Sequence, residues 1–340
     1  MFGRKNILFV VFALVLVFSL VACAAPETPV EEAAEEVVEE VAEEKPAQVT
    51  QADVTLGLSV HNDPAIAAFW GVVELGAKDA AELHGIELIS GGSKEPQEQA
   101  ALIEDYVALG VDGIIVSMAN PDALKDAIEK AVSAGIPVIT INSGQGRSKE
   151  FGAMTHVGQS EFVAGQGAGE KFSAAGYTKA LCVIHQENIA LEERCDGFID
   201  TFTGEVIRFN VAGTGIEDTA GTLATIQDKL TADPDIDSIL TLNPTIATTA
   251  LDAIKAVNSD VSLGTFDLSP AVIDAILAGE MDWAIDQQQY LQGWLPVDFL
   301  YLHAVNANTV GGGLPVLTGP GFVDASNAAQ VRELSAQGTR

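Results

Sequence analysis

From Val54 onward the chain alternates apolar runs of strand length with stretches of helical periodicity, and that alternation leaves few folds open. Strands are expected at residues 54–60, 86–89, 113–117 and 137–141, with helices at 69–84, 96–109 and 122–134 between them. Pro96 and Pro121 suit helix entries, and Gly85, Gly110 and Gly135 suit exits. Strand, helix and strand joined by short turns make a parallel sheet covered on both faces.

After a polar break at 143–151 the pattern resumes. Helices are expected at 160–175, 191–203, 219–232, 245–257 and 270–278, and strands at 179–184, 205–210, 238–242, 261–266 and 282–285. A long helix at 291–306, interrupted near Pro296, and a Gly/Pro-rich stretch at 311–323 close the chain. The fold class is therefore α/β, with two doubly wound parallel-sheet lobes of roughly 100 to 150 residues each. Hinge strands join them. The N-terminal lobe is expected to comprise residues 51–158 with about 288–322, and the C-terminal lobe 159–287 with about 323–340.

The N-terminus belongs to export. Arg4 and Lys5 precede an apolar run at 7–21, and Leu20-Val21-Ala22-Cys23 ends it, so residues 1–22 form a lipoprotein signal with Cys23 as the lipidated residue. A plain signal peptide or an uncleaved helix is the alternative, and the run is short for a span of about 20 residues. Residues 23–50 are an acidic tether, with glutamate pairs from Glu31-Glu32 to Glu43-Glu44 and no aromatic residue. The expected location is the outer face of the cytoplasmic membrane or the periplasm.

The full chain carries a net charge of −31. Most of it falls beyond the tether, so the folded surface repels phosphate backbones and anionic headgroups. Cys182 on a strand and Cys195 on the following helix can pair in an oxidising compartment, or stay as two buried thiols. No metal-ligand spacing, phosphate loop or nucleophile elbow is legible, so neither a cofactor nor an enzyme is expected. Gly165-Gln166-Gly167-Ala168-Gly169 lies within a helix and marks close packing.

In open parallel sheets ligands collect beyond the carboxyl ends of the strands. Those positions hold Ser59, His61, Ser117 and Asn142 in the first lobe, and His185, Asn188, Asn243, Asp267 and Gln287 after it. Amides, a carboxylate and the aromatics Phe69 and Trp70 suit a neutral sugar or polyol, whose C–H faces meet rings while its hydroxyls meet amides. Each residue also has a structural reading. Asn142, Asn243 and Asp267 can cap helices, Phe69 and Trp70 can be core, His61 and His185 can be structural, and Arg194 can pair with Glu192, Glu193 or Asp196.

Asp112-Gly113-Ile114-Ile115-Val116-Ser117, Ala134-Gly135-Ile136-Pro137-Val138-Ile139-Thr140-Ile141-Asn142, Arg194-Cys195-Asp196-Gly197-Phe198 and Gly264-Thr265-Phe266-Asp267 carry a resemblance. The chain resembles the periplasmic sugar-binding proteins of ABC transporters, in the ribose- and galactose-binding-like cluster, from Val54 to about Val323. The resemblance implies a monomeric receptor that closes two lobes on one monosaccharide and delivers it to a permease with its ATPase. It casts Phe69 and Trp70 as the aromatic pair around the sugar, and Asn243, Asp267 and Gln287 as second-lobe and hinge contacts. Asn142-Ser143 replaces the Asp-Arg pair of ribose-like members, and Glu192 replaces an arginine contact. With two cationic forks missing, an aldohexose such as glucose is favoured over ribose, with xylose, fructose or an inositol close behind. A sensory, chemotaxis or quorum-signal receptor is the alternative role.

Overall fold

The computed structural model describes residues 53–340. The signal segment, Cys23 and the acidic tether lie outside the described residues. The first lobe runs through β1 (Thr55–Val60), α1 (Ala68–His84), β2 (Glu87–Gly92), α2 (Pro96–Leu109), β3 (Gly113–Ser117), α3 (Pro121–Ser133), β4 (Val138–Ile141), the short α4 (Gln145–Ser148) and β5 (Thr155–Gln159). The second lobe repeats the scheme in α5 (Glu161–Ala175), β6 (Lys179–Ile184), α6 (Ile189–Thr201), β7 (Glu205–Asn210), α7 (Thr219–Ala232), β8 (Ser238–Thr241), α8 (Pro244–Ala256), β9 (Ser262–Phe266), α9 (Pro270–Leu277) and β10 (Trp283–Asp286). Then α10 (Gln289–Asn306) packs on α1, β11 (Val316–Gly319) joins the first sheet, β12 (Gly321–Asp324) joins the second, and α11 (Ala328–Ala336) packs on α9.

Strand order is β2-β1-β3-β4-β5-β11 in one sheet and β7-β6-β8-β9-β10-β12 in the other. All neighbours are parallel except β12, which runs antiparallel to β10. Each sheet reverses its order once, between β1 and β3 and between β6 and β8, and the crevice for a ligand opens at such a reversal. The chain passes between the sheets after β5, after β10 and between β11 and β12.

Three local expectations are corrected. Strand β5 falls in the stretch between the polar break and the helix expected at 160–175, where no strand is expected, yet every one of its residues is buried between β4 and β11. Helix α10 continues through Pro296, because its flank packs on α1 and buries Pro296, Val297 and Leu300, which offsets the lost backbone hydrogen bond. The Gly/Pro-rich end holds two short strands, and α11 follows them.

A disulfide between Cys182 on β6 and Cys195 on α6 ties the strand to the helix, with both residues fully buried. Beside it α5 and α6 cross so closely that a Cβ on Gly165 would strike the backbone oxygen of Arg194, and one on Gly197 would strike that of Phe162. This contact fixes the depth of α6 against the sheet, and with it the place of Arg194. Gly197→Val should therefore destabilise the protein by about 3 kcal/mol, the upper range for overpacking. Gly146→Ala, at a site with open space around it, should change stability by less than about 1 kcal/mol. Urea unfolding of both variants checks the contrast.

Candidate functional site

Between the facing carboxyl ends of the two sheets lies a cavity of about 550 Å3. Its floor is built from residues that follow the strands. Asn142 follows β4 and Asp267 follows β9, and both adopt left-handed backbone, with φ of 58° and 70°. Asn and Asp tolerate that conformation better than other non-glycine residues. Neither caps a helix: the next helices are capped at Gly144 and by Ser269.

Gln287, one residue beyond β10, joins the two. Its Oε1 accepts from Asn142 Nδ2 at 2.9 Å and from Gln292 Nε2 at 2.9 Å, and its Nε2 donates to Asp267 Oδ1 at 2.7 Å. One amide in the hinge thereby reads the position of a side chain from each lobe. Burial pushes the Asp267 carboxyl up to about 7, against the pull of the Arg194 guanidinium.

Asn188 and Asn243 do two things at once. Asn188 Oδ1 accepts from Ala190 N at 2.9 Å and Asn243 Oδ1 from Thr245 N at 2.8 Å, capping α6 and α8, while both residues line the cavity. Because Asn188 Oδ1 is committed to its cap, Nδ2 donates to His61 Nε2 at 3.2 Å. His61 Nδ1 then carries the proton and donates to Ser117 Oγ at 2.8 Å. His61 and Asn188 thus join the lobes beside the cavity, as do Ser143 and Asn188. Lys94, just before α2, and Glu217, just before α7, pair between the two lobes.

Trp70 is buried and meets both His61 and Phe69 edge to face, with ring centroids 4.6 Å and 4.9 Å away. Phe69 and Trp70 both line the cavity, but at 74° to one another they do not offer two parallel faces. Ser117 is fully buried beneath His61 and does not line the cavity. Glu192 lies outside it as well. Its carboxylate pairs with Arg208 at 2.6 Å on the surface of α6.

Arg194 is held elsewhere than the sequence suggests. Its partner is Glu161, in the first turn of α5, through Nε–Oε2 at 2.7 Å and Nη2–Oε1 at 3.1 Å, and both side chains are buried. An acid in a first helical turn has an ordinary dipole reading, so nothing in the sequence ties it to Arg194. Arg340 and Asp286 form a second pair at the hinge, at 2.7 Å, and Arg340 reaches the cavity wall. Among the described residues no group of His, Cys, Asp and Glu is placed to hold a metal ion.

The model of the periplasmic binding protein domain family matches residues 56–308. The chain belongs to this family. Among curated members, the xylose/arabinose-binding protein of Sulfolobus acidocaldarius is 28% identical over 291 residues, 76% of this chain and 68% of that one. The ribose import binding protein of Bacillus subtilis is 26% identical over 253 residues, 72% of this chain and 80% of its own. A solved carbohydrate transporter from Acidothermus cellulolyticus 11B, in complex with myo-inositol, is 40% identical, covers 84% of this chain and 99% of its own, and superposes with a TM-score of 0.80. The two-lobed fold is that of periplasmic binding proteins.

Burial, with Arg194 nearby, holds His61 and His185 down to about 3, against an ordinary 6.5. Between about pH 4 and 6.5 the unfolded chain binds a proton at each histidine that the native form excludes, whereas native Asp267 keeps one that the unfolded chain releases. His156, held down to about 4 by burial, is a third such histidine, so these groups together take up two protons on unfolding, and each proton adds about 1.4 kcal/mol of stability per pH unit in this window. In His61→Gln one of these protons leaves the balance, and urea unfolding at pH 4.5, 5.5 and 6.5 should show a slope lower by about 1.4 kcal/mol per unit.

Proposed function

We propose that this protein captures a neutral ring polyol between its lobes and delivers it to an ABC importer. The observation that carries the reading is the charge state of the cavity wall. Arg194 is neutralised by Glu161 and Arg340 by Asp286, and the Asp267 carboxyl is raised toward neutrality. What remains for a ligand is a set of amides on Asn142, Asn243 and Gln287, one carboxyl, and the Phe69 and Trp70 rings. Such a wall pays no desolvation penalty for an unpaired charge and offers paired donors and acceptors to hydroxyls.

A six-membered ring is favoured. The 40% identical relative was solved with myo-inositol, and an aldohexopyranose such as glucose presents a comparable ring of equatorial hydroxyls. Curated relatives named for ribose and for xylose or arabinose lie at 26–28% identity, consistent with a shared sugar-like class. The ribose relative is named as an import binding protein, which supports a transport role over an enzymatic one. Export followed by lipidation of Cys23 would tether the receptor near a permease and its ATPase, acting as a monomer.

The test is a thermal-shift panel of myo-inositol, D-glucose, D-xylose, D-ribose and an amino-acid control. A ligand present at about 100 times its Kd adds about 2.7 kcal/mol to the native state. A shift with myo-inositol or glucose is expected, and a panel in which only the amino acid shifts the protein overturns the reading. For the responding polyol, Asp267→Ala should weaken binding by about 2 kcal/mol, roughly thirtyfold, by calorimetry. Asn243→Ala should weaken it by about 1 kcal/mol.

A further inference from the structure

Arg194 and Asp267 both line the cavity, and each is felt electrostatically by the other. Two oppositely charged side chains in a buried site would ordinarily collapse on one another, which would use up both before a ligand arrived. They do not. The guanidinium is turned side-on to Glu161 instead, with Nη1 donating to Leu242 O at 3.3 Å and the carbon of its head 4.3 Å above the Phe266 ring.

We infer that Glu161 is a positioning residue, which draws Arg194 away from Asp267 and so keeps Asp267 Oδ2 and two guanidinium N–H groups free for the ligand. The donor count follows from chemistry: of the five N–H groups of a guanidinium, Nε and one on Nη2 go to Glu161 and one on Nη1 goes to Leu242 O. The remaining two belong to a head that lines the cavity.

Glu161 can hold this post because it is itself fixed. It opens α5, directly after the crossing that follows β5, and Gln159 Nε2 donates to its Oε2 at 2.8 Å. Helix α5 is locked against α6 at Gly165, Gly169 and Gly197, where no side chain fits, so the backbones that carry Glu161 and Arg194 cannot draw apart. An acid on this crossing thus competes with Asp267 for the same cation.

The charged groups around Asp267 come from several elements. Arg194 lies on α6, Glu161 on α5, and Asp286, paired with Arg340, at the end of β10; His61 and His185 face Arg194 and remain neutral. Of these, Glu161 raises the Asp267 carboxyl and Arg194 lowers it. Removing the Glu161 charge while keeping its shape should therefore let Arg194 swing onto Asp267 and pull that carboxyl down.

The experiment follows the Asp267 carboxyl by carbon-13 NMR in ligand-free protein, wild type against Glu161→Gln. The midpoint is expected to fall from about 7 to below the ordinary 3.8. This arm needs no ligand, so it stands or falls apart from the polyol reading on which the consequence for binding rests. If myo-inositol binds the wild type, Glu161→Gln should weaken it at least tenfold. An Asp267 midpoint that stays where it is in a folded Glu161→Gln protein overturns the inference, whatever happens to affinity. Should Glu161→Gln not fold, Glu161→Asp, which keeps the charge and shortens its reach, should place the midpoint between those two values, and an unchanged midpoint there overturns it equally.

Discussion

A parallel sheet sends all its strands in one direction, so every loop that leaves a carboxyl end is delivered to a single edge. Here two such sheets face each other by that edge, and the consequences run through the whole site. Asn142 after β4 and Asp267 after β9 occupy matching places in the two sheets, with the same left-handed turn of backbone. The turn aims each side chain back over the sheet instead of along the next helix. Capping then passes to Gly144 and to Ser269, which frees the amide and the carboxyl for the cavity.

The hinge has to be polar for the same reason. Gln287 sits where the chain leaves one sheet for the other, and all but one N–H of its amide is engaged: Thr318 Oγ1 donates to its carbonyl at 2.7 Å, and its amide holds Asn142, Gln292 and Asp267. A buried amide needs every partner it can find, since an orphaned group costs about 1–3 kcal/mol. On the capture proposed above, parting of the lobes would let water replace those partners, an exchange that is nearly balanced. Near balance would let a ligand shift the population of the closed form by its own contacts. The pair of Asp286 and Arg340 fastens the chain end to the same hinge.

Much of the fold is legible because periodicity reports burial directly. Helix α7 falls on the residues that its pattern marks, and β3 likewise. Strand β5 escapes notice because its sequence, Thr-His-Val-Gly-Gln, is polar at most positions, and its burial comes from β11, which arrives from a distant part of the chain. The site is legible as a set of strand-end positions and illegible as a set of partnerships. Asn142, Asp267 and Gln287 share a cavity as their places in the alternation imply. Glu192 does not reach it, since a helix start can face solvent as readily as the cleft, and here Arg208 on β7 draws it outward. Glu161 reaches its partner from 33 residues away, a pairing that only the crossing of α5 on α6 creates.

The outer charge and the inner neutrality of this molecule belong together. The chain carries −31 overall, a field that repels anions at long range and is screened beyond about 8 Å in physiological salt. Inside the cleft, screening by salt is weak, so selection there depends on local pairing. Each cavity arginine is matched to a buried carboxylate, which removes net charge as a basis for choosing ligands and leaves hydrogen-bond geometry in its place. A site of that kind rejects an analogue lacking one hydroxyl more strongly than one differing by a methylene, because the missing hydroxyl strands a buried donor or acceptor on the protein.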